Sequence, residues 1–127
     1  MSGLLRNRRI LIIDDAPDIR RIICEILKRE GASIEVAKNG TSALQTAAQQ
    51  QFDLALLDLH LPDMSGFEIA AQMRNHGFKS LIYAFTAADE DYLSREKMDS
   101  AGFSGWIPKD FISIPLSEFP RTISELF

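Results

Sequence analysis

Short, continuous apolar runs, each closed by a polar residue, constrain this chain more than any other feature. Ile10-Leu11-Ile12-Ile13 ends at Asp14-Asp15, and Leu54-Ala55-Leu56-Leu57 ends at Asp58. Leu81-Ile82-Tyr83-Ala84-Phe85 ends at Thr86, and Trp106-Ile107-Pro108 at Lys109. Unbroken apolar runs of this length suit strands covered on both faces, as in a parallel sheet flanked by helices. Between them the apolar period becomes helical. Pro17 stands at a first helical position with Asp18 in the first turn, Ile19, Ile22, Ile23, Ile26 and Leu27 recur at helical spacing, and Gly31 stops the segment.

The same alternation continues to the end. Ile34 and Val36 mark a short second strand, and Asn39-Gly40 turns the chain into a helix near 41–50 with Ala43, Leu44 and Ala47 on its apolar face. A third strand at about 53–57 is followed by the loop His60-Leu61-Pro62-Asp63-Met64-Ser65-Gly66. The next helix points Phe67, Ile69, Ala70 and Met73 inward and ends at Gly77. Asp89 is the expected N-cap of a helix reaching about Asp99, and Ala101-Gly102 leads into a fifth strand near 104–107. Pro115 and Pro120 interrupt the last segment. A mid-helix proline costs about 3 kcal/mol whereas the first turn tolerates it. The expected helix is therefore capped by Ser117, with Leu116, Phe119, Ile123 and Leu126 packing inward. Five βα units imply right-handed crossovers and helices on both faces of the sheet.

At 127 residues and 46% hydrophobic composition, residues 1–127 are expected to form one domain. A formal charge of −4 and a pI near 5.1 argue against direct nucleic acid binding. The Arg6, Arg8 and Arg9 cluster reads as a solvated approach to the first strand. Cys24 is the only cysteine, so no internal disulfide forms, and a reducing compartment with a half-buried thiol is expected. No apolar stretch has signal-peptide or membrane-spanning length, which predicts a cytoplasmic protein with no membrane partner. Asn39-Gly40-Thr41 matches a glycosylation sequon but reads better as a turn and helix start.

In a parallel sheet the carboxyl ends of neighbouring strands meet at one edge, where open α/β proteins bind ligands. That edge would gather Asp14, Asp15 and Asp58, an arrangement that is costly unless a cation neutralises it. Oxygen-only ligands at a site able to keep several waters favour Mg2+ over zinc or copper. Thr86 adds a hydroxyl and Lys109 an ammonium, which together make a phosphoryl site. Singly, each residue has a bland role as helix cap, turn residue or surface charge. Their joint placement is what points to chemistry.

Over essentially its whole length the chain resembles the receiver domain of bacterial two-component response regulators, similar to chemotaxis receivers. The resemblance rests on Asp14-Asp15, on Asp58 with the following Leu61-Pro62-Asp63-Met64-Ser65-Gly66, on Thr86-Ala87 and on Lys109. It implies an α/β, flavodoxin-like (βα)5 fold with a five-stranded parallel sheet of order 2-1-3-4-5. It also implies Mg2+-dependent phosphorylation of Asp58 by a histidine kinase or histidine phosphotransfer protein. Asp15, Asp58 and the main-chain carbonyl of His60 would bind the metal, with Asp14 acting largely through water. Lys109 and Thr86 would contact the transferred phosphoryl oxygens. The output surface would comprise the helix around 89–99, the strand at Trp106 and the final helix, with apolar contacts from Tyr92, Leu93, Met98 and Phe111. Homodimerisation through the 89–127 face is a further expectation. Catalysis would be confined to the chain's own phosphorylation and dephosphorylation.

Several positions depart from the family pattern. Trp106 stands where receivers usually carry Tyr or Phe as a switch partner of Thr86, and indole is larger than phenol. A plain core tryptophan is the competing role. Lys109 is followed by Asp110, and Pro108 precedes it, where the family lysine is commonly followed by proline. Such Pro-Lys-Asp endings also occur in receivers joined to helix-turn-helix output domains. His60 lies where the side chain can tune acyl-phosphate hydrolysis, and Ala88 would leave the site open to water, consistent with an unremarkable or fairly short phosphoryl lifetime. His76 reads as a surface residue. Two alternatives carry different tests: a non-phosphorylated pseudo-receiver would fail to bind Mg2+, and an aspartate-nucleophile phosphatase would turn over small phosphate esters. The phosphatase pattern places a second acid where His60 stands.

Overall fold

The computed structural model describes residues 3–87, 94–111 and 113–127. Five strands, β1 (Arg9–Ile13), β2 (Ser33–Ala37), β3 (Leu54–Leu57), β4 (Leu81–Thr86) and β5 (Gly105–Pro108), form one sheet in the order 2-1-3-4-5. All four pairings are parallel. The helices are α1 (Pro17–Arg29), α2 (Gly40–Gln49), α3 (Gly66–Asn75), α4 (Arg95–Ala101) and α5 (Phe119–Ser124). The apolar runs thus become strands, as expected of segments covered on both sides.

Alternate residues of each strand supply two separate cores, because successive side chains point to opposite faces. Ile10 and Ile12 of β1 with Leu54 and Leu56 of β3 pack under Ile23, Leu27, Phe119 and Ile123. Leu11 and Ile13 with Ala55 and Leu57 pack under Ala43, Ile69, Ala70 and Met73. Pro17 opens α1 and Asp18 sits in its first turn. The chain leaves α1 through Gly31 at φ +98°, a conformation L side chains rarely adopt, and donates from its amide to Lys28 O.

Two features differ from the sequence expectations, and a third lies partly outside the described residues. Ile22 lies on the outer side of α1 and is 38% exposed, because the buried stripe runs through Ile23 and Leu27. Ser117 does not cap the last helix. Leu116–Glu118 form a 3-10 turn, Leu116 is 36% exposed, and α5 begins at Phe119 with Pro120 in its first turn. A cap at Ser117 would have Pro120 as its third helical residue, which lacks the amide that such a cap bonds. The helix before β5 is capped by the Ser94 side chain, which accepts from the Lys97 amide. The expected cap Asp89, with Ala88, Tyr92 and Leu93, lies outside the described residues. Met98 is buried, whereas Phe111 is partly buried with its ring tilted against Phe85, so core packing accounts for the first and part of the second. Among the described residues no helix is long and apolar enough to cross a membrane.

Candidate functional site

Each principal side chain of the acidic edge stands one ladder step beyond its strand. The Asp14 amide donates to Ala37 O at 3.1 Å, the Asp58 amide to Ile13 O at 2.9 Å, and the Lys109 amide to Thr86 O at 2.9 Å. The sheet therefore places these residues by its own hydrogen bonding, and flexible loop geometry plays little part. Asp14 (1% exposed), Asp58 (8%) and Thr86 (1%) are the buried polar residues among those described.

The two buried carboxylates are dressed alike. Asp14 Oδ1 accepts the Ala16 amide at 2.8 Å, and Asp58 Oδ1 accepts the His60 amide at 3.1 Å. Both are turns in which an aspartate binds the backbone two residues on. Their other oxygens share one cation, with Lys109 Nζ 2.6 Å from Asp14 Oδ2 and 3.2 Å from Asp58 Oδ2. Asp15 is exposed, yet a carboxylate oxygen from each of Asp14, Asp15 and Asp58 falls within 4.8 Å of the others.

Three carboxylates against one ammonium leave a formal charge of −2 at this edge. The donors are oxygens, one acid faces solvent, and the group is already under-neutralised. These are the conditions under which a hydrated hard cation is held by carboxylates. The residues fit Mg2+.

The remaining predicted residues occupy the same end of the sheet. Thr86 closes β4 and pairs in register with Pro108. His60 has an exposed ring and forms an isolated antiparallel bridge with Ser65. No cis peptide bond occurs among the described residues, so Ile107–Pro108 is trans. Trp106 lies half-buried on β5 against the core beneath α3 and α4, and its Nε1 is buried with no hydrogen-bond partner among the described residues. His76 caps the end of α3, with Nδ1 2.7 Å from Gln72 O. Cys24 is half-buried, and burial pushes its thiol pKa up.

Three side chains that tie segments together escaped the sequence reading. Arg20 reaches from α1 to donate to Asp14 O at 2.9 Å. Arg74 of α3 donates to Gly102 O, Phe78 O and Ser80 O at 3.0, 2.9 and 2.6 Å, tying the end of α4 to the start of β4. Asp63 accepts the Gly40 and Thr41 amides at 2.8 and 3.1 Å and the Thr41 hydroxyl at 3.1 Å. The Gly40 amide, helped by Thr41, holds the Asp63 carboxyl below its ordinary pKa. Asp63 lay within a motif already singled out, but its partners are 22 and 23 residues away, so local spacing gave no signal.

Comparison with known proteins agrees with this geometry. Residues 10–118 match the model of the response regulator receiver domain family. The transcriptional regulatory protein SrrA of Staphylococcus aureus is 36% identical over 105 residues, covering 83% of this chain and 43% of SrrA. The chain thus spans less than half the length of the curated relatives it matches. Response regulator TrrA of Thermotoga maritima, solved in complex with Mg2+-BeF, is 30% identical with a TM-score of 0.79, covering 94% of this chain and 99% of TrrA. TrrA in complex with the histidine kinase ThkA is 32% identical with a TM-score of 0.79, covering 94% of this chain and 98% of that one. A CheY-like receiver from Methanospirillum hungatei is 28% identical with a TM-score of 0.80, covering 94% and 92%. The order 2-1-3-4-5, the acids at its carboxyl edge and the match over 10–118 lead to one conclusion: the chain belongs to the receiver domain family of two-component response regulators, a family of signalling domains.

Proposed function

We propose that residues 1–127 act as one receiver unit that accepts a phosphoryl group on Asp58 from a phosphohistidine of a histidine kinase or histidine phosphotransfer protein. The observation that carries this reading is the single Lys109 ammonium shared by Asp14 and Asp58, with Asp15 beside them. The TrrA complexes with Mg2+-BeF and with ThkA add support from relatives of the same fold.

Asp15, Asp58 and the His60 carbonyl would hold Mg2+, with Asp14 acting through water. When bound, the metal supplies positive charge that lets a carboxylate meet an anionic donor. Phosphoryl transfer proceeds through a loose transition state, so positioning and charge stabilisation are the main demands on the protein. An Asp58 carboxylate oxygen attacks phosphorus, the P–N bond to the donor imidazole breaks, and its electron pair stays on the ring nitrogen. Lys109, already 3.2 Å from Asp58, balances the charge that arrives. Thr86 contacts a transferred oxygen from the end of β4, and Trp106 on the adjacent strand relays the change to the surface of the last two βα units. That surface controls a partner or a second copy of the chain. No direct contact with nucleic acid or membrane is required, and the setting is the cytoplasm.

The test is intact mass after incubation with Mg2+ and a small acyl-phosphate donor, beside an Asp58→Asn control. One phosphoryl adduct, absent from the variant, is expected. An unmodified wild type that also fails to bind Mg2+ would replace this reading with a phosphorylation-independent interaction module.

A further inference from the structure

The loop that starts at Asp58 and ends at Gly66 is fastened at both its base and its tip. At the base, the Gly66 amide donates to Leu59 O at 3.0 Å, and His60 bridges Ser65. A Cβ on Gly66 would lie 2.7 Å from Leu59 Cα and 2.8 Å from Asp58 O, so only glycine lets α3 begin this close to the acid. At the tip, Asp63 holds the first two amides of α2, and Met64 packs so closely on Gly40 that a Cβ there would lie 2.5 Å from its Sδ.

The start of α2 has a cap of its own besides Asp63. Asn39 already serves as N-cap, its side chain accepting the Ser42 amide at 2.8 Å. A local cap and a remote one therefore divide the orphan amides of the first turn between them. The remote one constrains the loop as much as the helix. We propose that Asp63 is a positioning residue for the acidic site: by clamping the loop tip to α2, it fixes where Asp58 and the His60 carbonyl stand for metal binding. This inference rests on the receiver reading above and extends it to a residue that touches neither metal nor phosphoryl group.

Coupling of this kind is reciprocal. If the clamp favours Mg2+ binding by some factor, bound Mg2+ must favour the closed clamp by the same factor. Two measurements on the full chain follow: Mg2+ affinity by calorimetry, and amide hydrogen exchange at Gly40 and Thr41 with and without Mg2+. Asp63→Ala should weaken Mg2+ binding about tenfold, within the usual span of such couplings. Asp63→Asn, which keeps an acceptor oxygen, should fall between it and the wild type. Asn39→Ala weakens the start of α2 but leaves the clamp in place, so its Mg2+ affinity should stay within about twofold of wild type. In the wild type, Mg2+ should slow exchange at Gly40 and Thr41 by about the factor that Asp63→Ala loses.

Equal loss of Mg2+ affinity in Asp63→Ala and Asn39→Ala would overturn the proposal, because helix stability alone would explain both. Unchanged affinity in Asp63→Ala would overturn it directly. A wild type that does not bind Mg2+ would remove the receiver reading and this inference with it, an outcome read in a separate arm from the variants.

Discussion

Replacing Lys109 by Met separates three effects that differ in sign. The ammonium lies 2.6 Å from Asp14 and 3.2 Å from Asp58, with 14% of the lysine side chain exposed. At an effective dielectric near 20, such contacts carry roughly 5–6 kcal/mol each of gross attraction. Desolvation of both partners offsets most of it. The greater cost comes from what the substitution leaves behind, two largely buried carboxylates with no cation. Breaking a fully buried pair costs about 3–5 kcal/mol. Solvent reaches part of Lys109 and Asp58, which lowers the expected loss to about 2–3 kcal/mol. For a domain of this size that corresponds to a fall in Tm of roughly 6–12 °C in chelator.

Mg2+ should then act more strongly on the variant than on the wild type. Losing one ammonium takes the formal charge of the edge from −2 to −3, which should tighten Mg2+ binding about tenfold. Phosphoryl transfer should move the other way and slow by about a hundredfold, the usual cost of removing one charge-stabilising donor. Scanning calorimetry in EDTA and in Mg2+, with the phosphorylation rate measured beside it, reads all three. A variant that unfolds at the wild-type temperature in EDTA, or gains no more from Mg2+ than the wild type, would refute the electrostatic reasoning.

Gly66→Ala should cost about 1–3 kcal/mol, because its Cβ meets the backbone of Leu59 and Asp58; a lowered urea midpoint checks this. Arg74→Ala removes the donor for three main-chain carbonyls and should cost about 3 kcal/mol, with faster amide exchange at the end of α4 than in α1. The Asp63 carboxyl has a depressed pKa in the folded state, so its contribution is full above the unfolded value and is lost as pH falls through the lower folded one. The Tm advantage of wild type over Asp63→Asn should accordingly be present near neutrality and vanish at acid pH; an advantage that persisted in strong acid would contradict the clamp.

The strands and the acidic edge were legible because both depend on short-range patterns. An apolar run such as Ile10–Ile13 is buried on both faces whatever packs against it, and parallel pairing then fixes where Asp14 and Asp58 emerge. The tail was harder to read. Whether Ser117 or Phe119 starts the last helix turns on one proline lacking one amide, a choice apolar spacing does not register. Ile22 fits the helical period of α1 but stands at the edge of the stripe, where only the position of neighbouring elements decides burial. Arg20 and Arg74 act on main-chain atoms, and Asp63 mainly on main-chain amides with one bond from the Thr41 hydroxyl; because every residue carries main-chain groups, the partner segments announce them weakly.

On the receiver reading, the site and the face it would control share one four-residue strand. Lys109 leaves β5 to hold Asp14 and Asp58, and Trp106 sits three positions earlier with its indole N–H buried and unpaired among the described residues. A buried donor without an acceptor costs about 1–3 kcal/mol. If phosphorylation lets the indole N–H reach an acceptor or water that it lacks among the described residues, a cost of that size is relieved in the active form. Moving a two-state equilibrium from almost wholly one form to almost wholly the other takes about 5.5 kcal/mol. Relief of the Trp106 N–H would contribute a substantial fraction of that, leaving the rest to the contacts of Lys109 and Thr86. In a Tyr or Phe receiver no such buried indole donor exists, so if its relief contributes to switching, Trp106→Phe should respond less to phosphorylation than the wild type, and an undiminished response would refute the idea.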